Sequence, residues 1–139
     1  MKPRMLQLPM AFSTKREIRR LHVEDRFSEV VVHNGTVEVV VHNGTVYLSG
    51  QLADDLDGGI AAQTAETLAS IDQFLADAGT DKSRILSVTI YLKDMADYAG
   101  MNAVWDAWVV KGATPARATV QSALYDPKVL VEMSVVAAL

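Results

Sequence analysis

Residues 29–50 read EVVVHNGTVEVVVHNGTVYLSG, in which a nonapeptide, EVVVHNGTV, stands twice without a mismatch (29–37 and 38–46) before Tyr47-Leu48-Ser49-Gly50. Valine-rich runs favour strands, and each Asn-Gly (Asn34-Gly35 and Asn43-Gly44) suits the two-residue type I′ turn of a hairpin. Taken literally, the stretch makes three strands, near 29–33, 36–42 and 45–50. A nine-residue spacing is too short for a solenoid repeat. It is also odd, and an odd slip along a strand turns every side chain to the other face. The expectation is therefore that the second copy keeps the pairing with Tyr47-Leu48-Ser49-Gly50, while the first is displaced or extends the sheet edge.

Downstream, Asp54-Asp55-Leu56-Asp57-Gly58-Gly59 has the composition of a loop. Ile60, Thr64, Leu68, Ile71 and Leu75 then recur at helical spacing, which predicts a helix over 60–78 with Gly79 as its C-cap. Residues 85–92 alternate and are β-branched, as a strand requires. A second helix is expected over about 96–110, with Asp94 as its cap and Met101, Val104, Trp105, Trp108 and Val109 as its apolar stripe. Tryptophans at that spacing read as core rather than as a stacking platform. Two strands, 116–124 and 129–138, close the chain around Asp126-Pro127. The order β, β-hairpin, α, β, α, β, β describes an α+β two-layer sandwich: a mixed, mostly antiparallel sheet with two helices on one face. The closing strand carries apolar residues on both faces, which calls for a second cover from a homo-oligomer.

The 139 residues fit one domain, and half of them are hydrophobic, a high share to hide in so small a chain. There is no cysteine, so disulfides and thiol chemistry are excluded. No apolar run reaches the roughly 18–20 residues needed to cross a bilayer. Thirteen basic against seventeen acidic residues give a net charge of −4, which speaks against a nucleic-acid partner. Lys2, Arg4, Lys15, Arg16, Arg19, Arg20 and Arg26 concentrate at the start of the chain. Gln7 and Pro9 break the short apolar stretch there, so a secretory signal is not expected. A basic organellar targeting segment competes with a loose tail over residues 1–13 followed by an edge strand, and the second reading is preferred.

Two charged residues interrupt apolar strands. Arg117 would share a face with Thr119 and Gln121, and Glu132 with Ser134. Arginine's planar fork suits a substrate carboxylate, but it equally suits an ion pair, for which Glu132 on an adjacent strand is the candidate. Asn102, one turn into the second helix, is unremarkable by itself. His22, His33 and His42 have no metal-ligand spacing, and no phosphate loop, serine elbow or paired-carboxylate motif is present.

Several spaced blocks nonetheless resemble the RidA/YjgF family of reactive-intermediate deaminases. They are Tyr47-Leu48-Ser49-Gly50-Gln51, Ala62-Gln63-Thr64 through Ile71, Ala78-Gly79, Val88 to Asp94, Asn102, Pro115-Ala116-Arg117 and Leu130-Val131-Glu132. The resemblance runs over about residues 14–139, which would form a single domain with only the duplicated nonapeptide as an extra. It implies a chorismate-mutase-like fold assembled as a homotrimer, with clefts between subunits. The implied activity is hydrolysis of 2-imino or enamine acids to 2-keto acids and ammonia in the cytoplasm, without metal or cofactor. Arg117 would grip the carboxylate and Glu132 position water or relay a proton. Phe27, Ser49, Gly50, Asn102 and Thr119 would line the cleft, with Phe27 where a well-studied branch has tyrosine and Thr119 where cysteine is common. The partners expected are therefore a small imino, enamine or keto acid and two further copies of the chain, with no nucleic acid and no membrane. A non-catalytic module that binds small carboxylates on the same trimer is the alternative.

Overall fold

A computed structural model describes residues 18–23, 25, 28–33 and 44–139 of the protein. The tail over 1–13, Phe27, both asparagines of the Asn-Gly pairs and the strand expected near 36–42 lie outside these residues.

Helix α1 (Ile60–Ala78) has the predicted bounds. Thr64, Leu68, Ile71 and Leu75 are buried, and Ile60 packs against the same core. Gly79 ends the helix with φ at 91°, a left-handed conformation that glycine adopts without a Cβ penalty. The Gly79 and Thr80 amides donate to the Ala76 and Leu75 carbonyls. The second helix differs from its prediction at the start. Asp94 caps a short 3-10 turn, Met95–Asp97, by accepting from the Ala96 amide at 2.8 Å, and α2 spans Tyr98–Trp108. Met101 and Trp105 are buried, while Trp108 is half-buried with its indole donating to Asp72 at 2.9 Å. Neither tryptophan is an exposed platform.

The strands are β1 (Ile18–Val23), β2 (Ser28–His33), β3 (Thr45–Leu48), β4 (Ile85–Leu92), β5 (Ala116–Gln121) and β6 (Val131–Ala138). The last two are shorter than predicted: 122–124 and 129–130 leave the ladder, although Val129 is fully buried. The six strands form one sheet in the order β1-β2-β3-β6-β4-β5. β4 and β5 run parallel, joined through α2, and every other pair is antiparallel. On β6, Val131, Met133, Val135 and Ala137 are buried in the core they share with Leu68, Ile71 and Leu75 of α1 and Met101 of α2. Glu132, Ser134, Val136 and Ala138 are half-buried on the opposite face. No helix among the described residues is long and apolar enough to cross a membrane.

The repeat resolves against the expected preference. It is the first copy that pairs with β3, with Val30, Val31 and Val32 opposite Leu48, Tyr47 and Val46. Those are the partners that Val39, Val40 and Val41 would take across a tight Asn43-Gly44 turn. Exchanging identical copies moves the chain by nine residues yet maps each residue onto its duplicate. The odd-slip penalty therefore never arises. The structural difference is a connection over residues 34–44 in place of a two-residue turn. Removing either copy yields the same shortened polypeptide. Loop-closure entropy predicts that it is more stable by about 1.5 kcal/mol, raising Tm by roughly 3–6 °C. Scanning calorimetry on both chains tests this, and an equal or lower Tm in the shortened chain refutes it.

Candidate functional site

The expected site residues divide between two places. By register, Arg117 and Thr119 of β5 lie beside Val88 and Ile90 of β4, which face the helices. Glu132 lies beside Tyr91, whose alternation puts it on the opposite face. β4 also separates β5 from β6. Arg117 and Glu132 are thus two strand spacings and three residues apart, about 14 Å between backbones, and on opposite sides of the sheet. This overturns the expectation of an Arg117–Glu132 ion pair on adjacent strands.

The first group is built on one face of α2, where Tyr98, Asn102 and Trp105 recur at i, i+4 and i+7. Arg117 Nη1 donates to Asn102 Oδ1 at 2.8 Å, and Nη2 donates to the Tyr98 hydroxyl at 3.3 Å. The guanidinium lies over the rings of Trp105, at 5.2 Å from the centroid, and Tyr98, at 5.9 Å. Both hydrogen-bond partners are neutral. Among the described residues no carboxylate lies within ion-pair reach of Arg117. The Thr119 hydroxyl is buried with no partner among the described residues. A half-buried, ring-flanked cation with spare N–H donors, and no counter-charge among the described residues, has the chemistry to hold an anion.

The second group lies on the opposite face. Gly50 and Glu132 line two adjoining clefts, of about 630 Å³ with Ser49, Leu52, Ala53, Asp54 and Tyr125, and about 310 Å³ with Tyr91, Ser122, Leu124 and Ser134. The chain just after Gly50 is pinned to β6 by mutual backbone hydrogen bonds of Gln51 and Met133, at 2.8 and 2.9 Å. The Gln51 side chain donates to Ser49 and accepts from Ser70. A methyl group at Gly50 would meet the Glu132 carboxylate, so a larger residue there requires the end of that side chain to move. Burial pushes the Glu132 carboxyl above the ordinary glutamate range.

That shift has a sign. The folded state favours protonated Glu132, so this contribution to stability is present below the ordinary glutamate range and is lost as pH rises through the raised value. Glu132→Gln removes the ionisation. It is expected to melt at higher temperature than the parent at pH 7, with the difference closing in acid below about pH 4.5. Melting curves across that range check it, and a variant less stable at pH 7 contradicts it.

Tyr98 and Tyr125 were not among the expected site residues. The i, i+4 spacing of Tyr98 to Asn102 was the signal that could have found the first. Tyr125, in a loop, offered none.

Comparison with known proteins identifies the family. The family model described as Endoribonuclease L-PSP matches residues 18–139. The RutC family protein YoaB of Escherichia coli strain K12 is 46% identical over 121 residues, 87% of this chain and 97% of that protein. A crystal structure of a YjgF-family protein from Neisseria meningitidis superposes with a TM-score of 0.79 at 44% identity, covering 88% of this chain and 95% of its own. An uncharacterised protein of Pseudomonas aeruginosa has the same TM-score at 43% identity, covering 88% and 98%. Nearly the whole chain is matched in each case, and the protein belongs to the Endoribonuclease L-PSP family, that of the RutC and YjgF proteins.

Proposed function

We propose that the protein hydrolyses small 2-imino or enamine acids to 2-keto acids and ammonia in the cytoplasm, in clefts between the subunits of a homotrimer. The observation that carries this reading is Arg117, a cation without a carboxylate partner among the described residues, held by Asn102 and Tyr98. It supports a bidentate grip on the substrate carboxylate. The opposite-face placement of Glu132 supports a site completed by a second copy, Arg117 coming from one subunit and Glu132 from its neighbour. Ser49 and Gly50 would line the Glu132 side, and Asn102 and Thr119 the Arg117 side.

The chemistry then needs little machinery. A protonated imine carbon is already electrophilic, so orientation and a proton acceptor suffice. Water adds to that carbon as Glu132 takes its proton. The proton passes to nitrogen, the C–N bond breaks as the new hydroxyl gives its remaining proton to Glu132, and ammonia leaves the keto acid and carries that proton away as ammonium. A carboxylate whose basicity burial has raised is better suited to this than a solvated one. Net charge −4 argues against the RNA cleavage that the family description names.

The test generates 2-iminopropionate in place with an amino-acid oxidase and follows keto-acid release. Faster release on adding the protein is expected, and an unchanged rate refutes deamination. A second reading, carboxylate binding without turnover, is favoured by one observation: a single chain holds the arginine apart from the base. Arg117-dependent binding of a 2-keto acid without turnover would establish it.

A further inference from the structure

Tyr98 opens α2 and is 40% exposed, whereas Trp105, on the other ring contact of the Arg117 guanidinium, is 6% exposed. Trp105 therefore belongs to the core, and Tyr98 stands where the guanidinium meets solvent. The Tyr98 oxygen accepts from Arg117 Nη2 at 3.3 Å, so its own proton points elsewhere. Among the described residues it finds no acceptor. A hydroxyl that accepts from a cation is polarised and becomes a better donor.

We propose that Tyr98 is a second carboxylate-binding group: its O–H donates to one oxygen of the substrate carboxylate while Arg117 donates to the other. The inference rests on the Arg117 reading above and adds to it a residue and a selection rule. A hydroxyl beside a guanidinium matches a carboxylate with both oxygens free at the edge of the site. An ester or amide of the same acid presents only one such acceptor. The site thus selects free 2-imino and 2-keto acids over their esters and amides.

The experiment compares the parent, Tyr98→Phe and Arg117→Ala by steady-state kinetics on 2-iminopropionate and by calorimetric titration with pyruvate. Tyr98→Phe keeps the ring over the guanidinium and removes only the hydroxyl. It is expected to raise KM and the pyruvate Kd about tenfold, as loss of one hydrogen bond to a charged group does, with kcat within about twofold and an unchanged melting temperature. If Tyr98 merely propped up Arg117, Tyr98→Phe would cost no further pyruvate affinity in an Arg117→Ala background, and that result in the double variant overturns the proposal. So does an unchanged KM and Kd in Tyr98→Phe when Arg117→Ala weakens both. Unchanged values in Arg117→Ala itself would instead remove the reading beneath, which keeps the two failures distinct. Tyr98→Ala, lacking the ring too, should fall at or below Tyr98→Phe in affinity, and higher affinity than Tyr98→Phe would also overturn it.

Discussion

Arg117→Ala is expected to lower kcat/KM for 2-iminopropionate by about 10²–10³, most of it through KM. A bidentate guanidinium–carboxylate pair, partly shielded from water, contributes about 3–4 kcal/mol of binding. The stability of the protein should hardly change. Arg117 is bonded to neutral groups, Asn102 and Tyr98, and the space it leaves opens to solvent rather than to the core. Loss of activity with a melting temperature within about 3 °C of the parent is the result to look for in paired kinetic and calorimetric runs. Arg117→Lys keeps the charge without the fork and should recover only part of the loss. Co-refolding Arg117→Ala with Glu132→Gln adds a sharper check. If each site takes one residue from each of two subunits, mixtures of the two inactive variants contain some intact sites. Full activity in Arg117→Ala would contradict the assignment.

The largest effect on stability is expected at Gln63→Leu. Gln63 is 1% exposed, and its side chain is saturated with hydrogen bonds. Nε2 donates to the carbonyls of Leu56, Gly58 and Lys128, at 3.2, 3.1 and 2.9 Å, and Oε1 accepts from the Leu130 amide at 2.9 Å. One amide thus ties the loop before α1 to the segment leading into β6. Leucine nearly conserves the volume but leaves the Leu130 N–H and the Lys128 carbonyl without partners. Stranding buried backbone groups costs about 1–3 kcal/mol each, and a total near 3 kcal/mol is expected. That corresponds to a fall in Tm of roughly 6–12 °C. A drop of less than about 3 °C would show that water replaces the amide. The same segment carries Tyr125 and runs on to Glu132, so the variant should also bind substrate less well.

Much of the fold was legible in the sequence because its signals are local. The apolar spacing of α1 and the left-handed Gly79 fix that helix without reference to anything distant. The start of α2 was misplaced because Asp94 caps a 3-10 turn, which satisfies the same capping chemistry three residues earlier. The site was less legible. Arg117 and Glu132 were identified as the odd charges, but their relation depends on which strand lies between them. β5 and β6 are consecutive in the chain, yet β6 inserts between β3 and β4, and no local pattern reports that insertion. The repeat is a limiting case: two identical segments carry no information about which one pairs.

That indifference reaches beyond folding. Because the sheet partners of β3 are the same residue types whichever copy supplies them, gaining or losing a nonapeptide changes a count and not a ladder. Each further unit would lengthen one connection by nine residues and leave every cross-strand neighbour as it is. A gene carrying such a repeat can therefore contract or expand by replication slippage, with every product still spelling the same hairpin. At this point in the chain, copy number sets the length of one connection and its closure cost, and leaves the strand register and the placement of Arg117, Asn102 and Glu132 as they are.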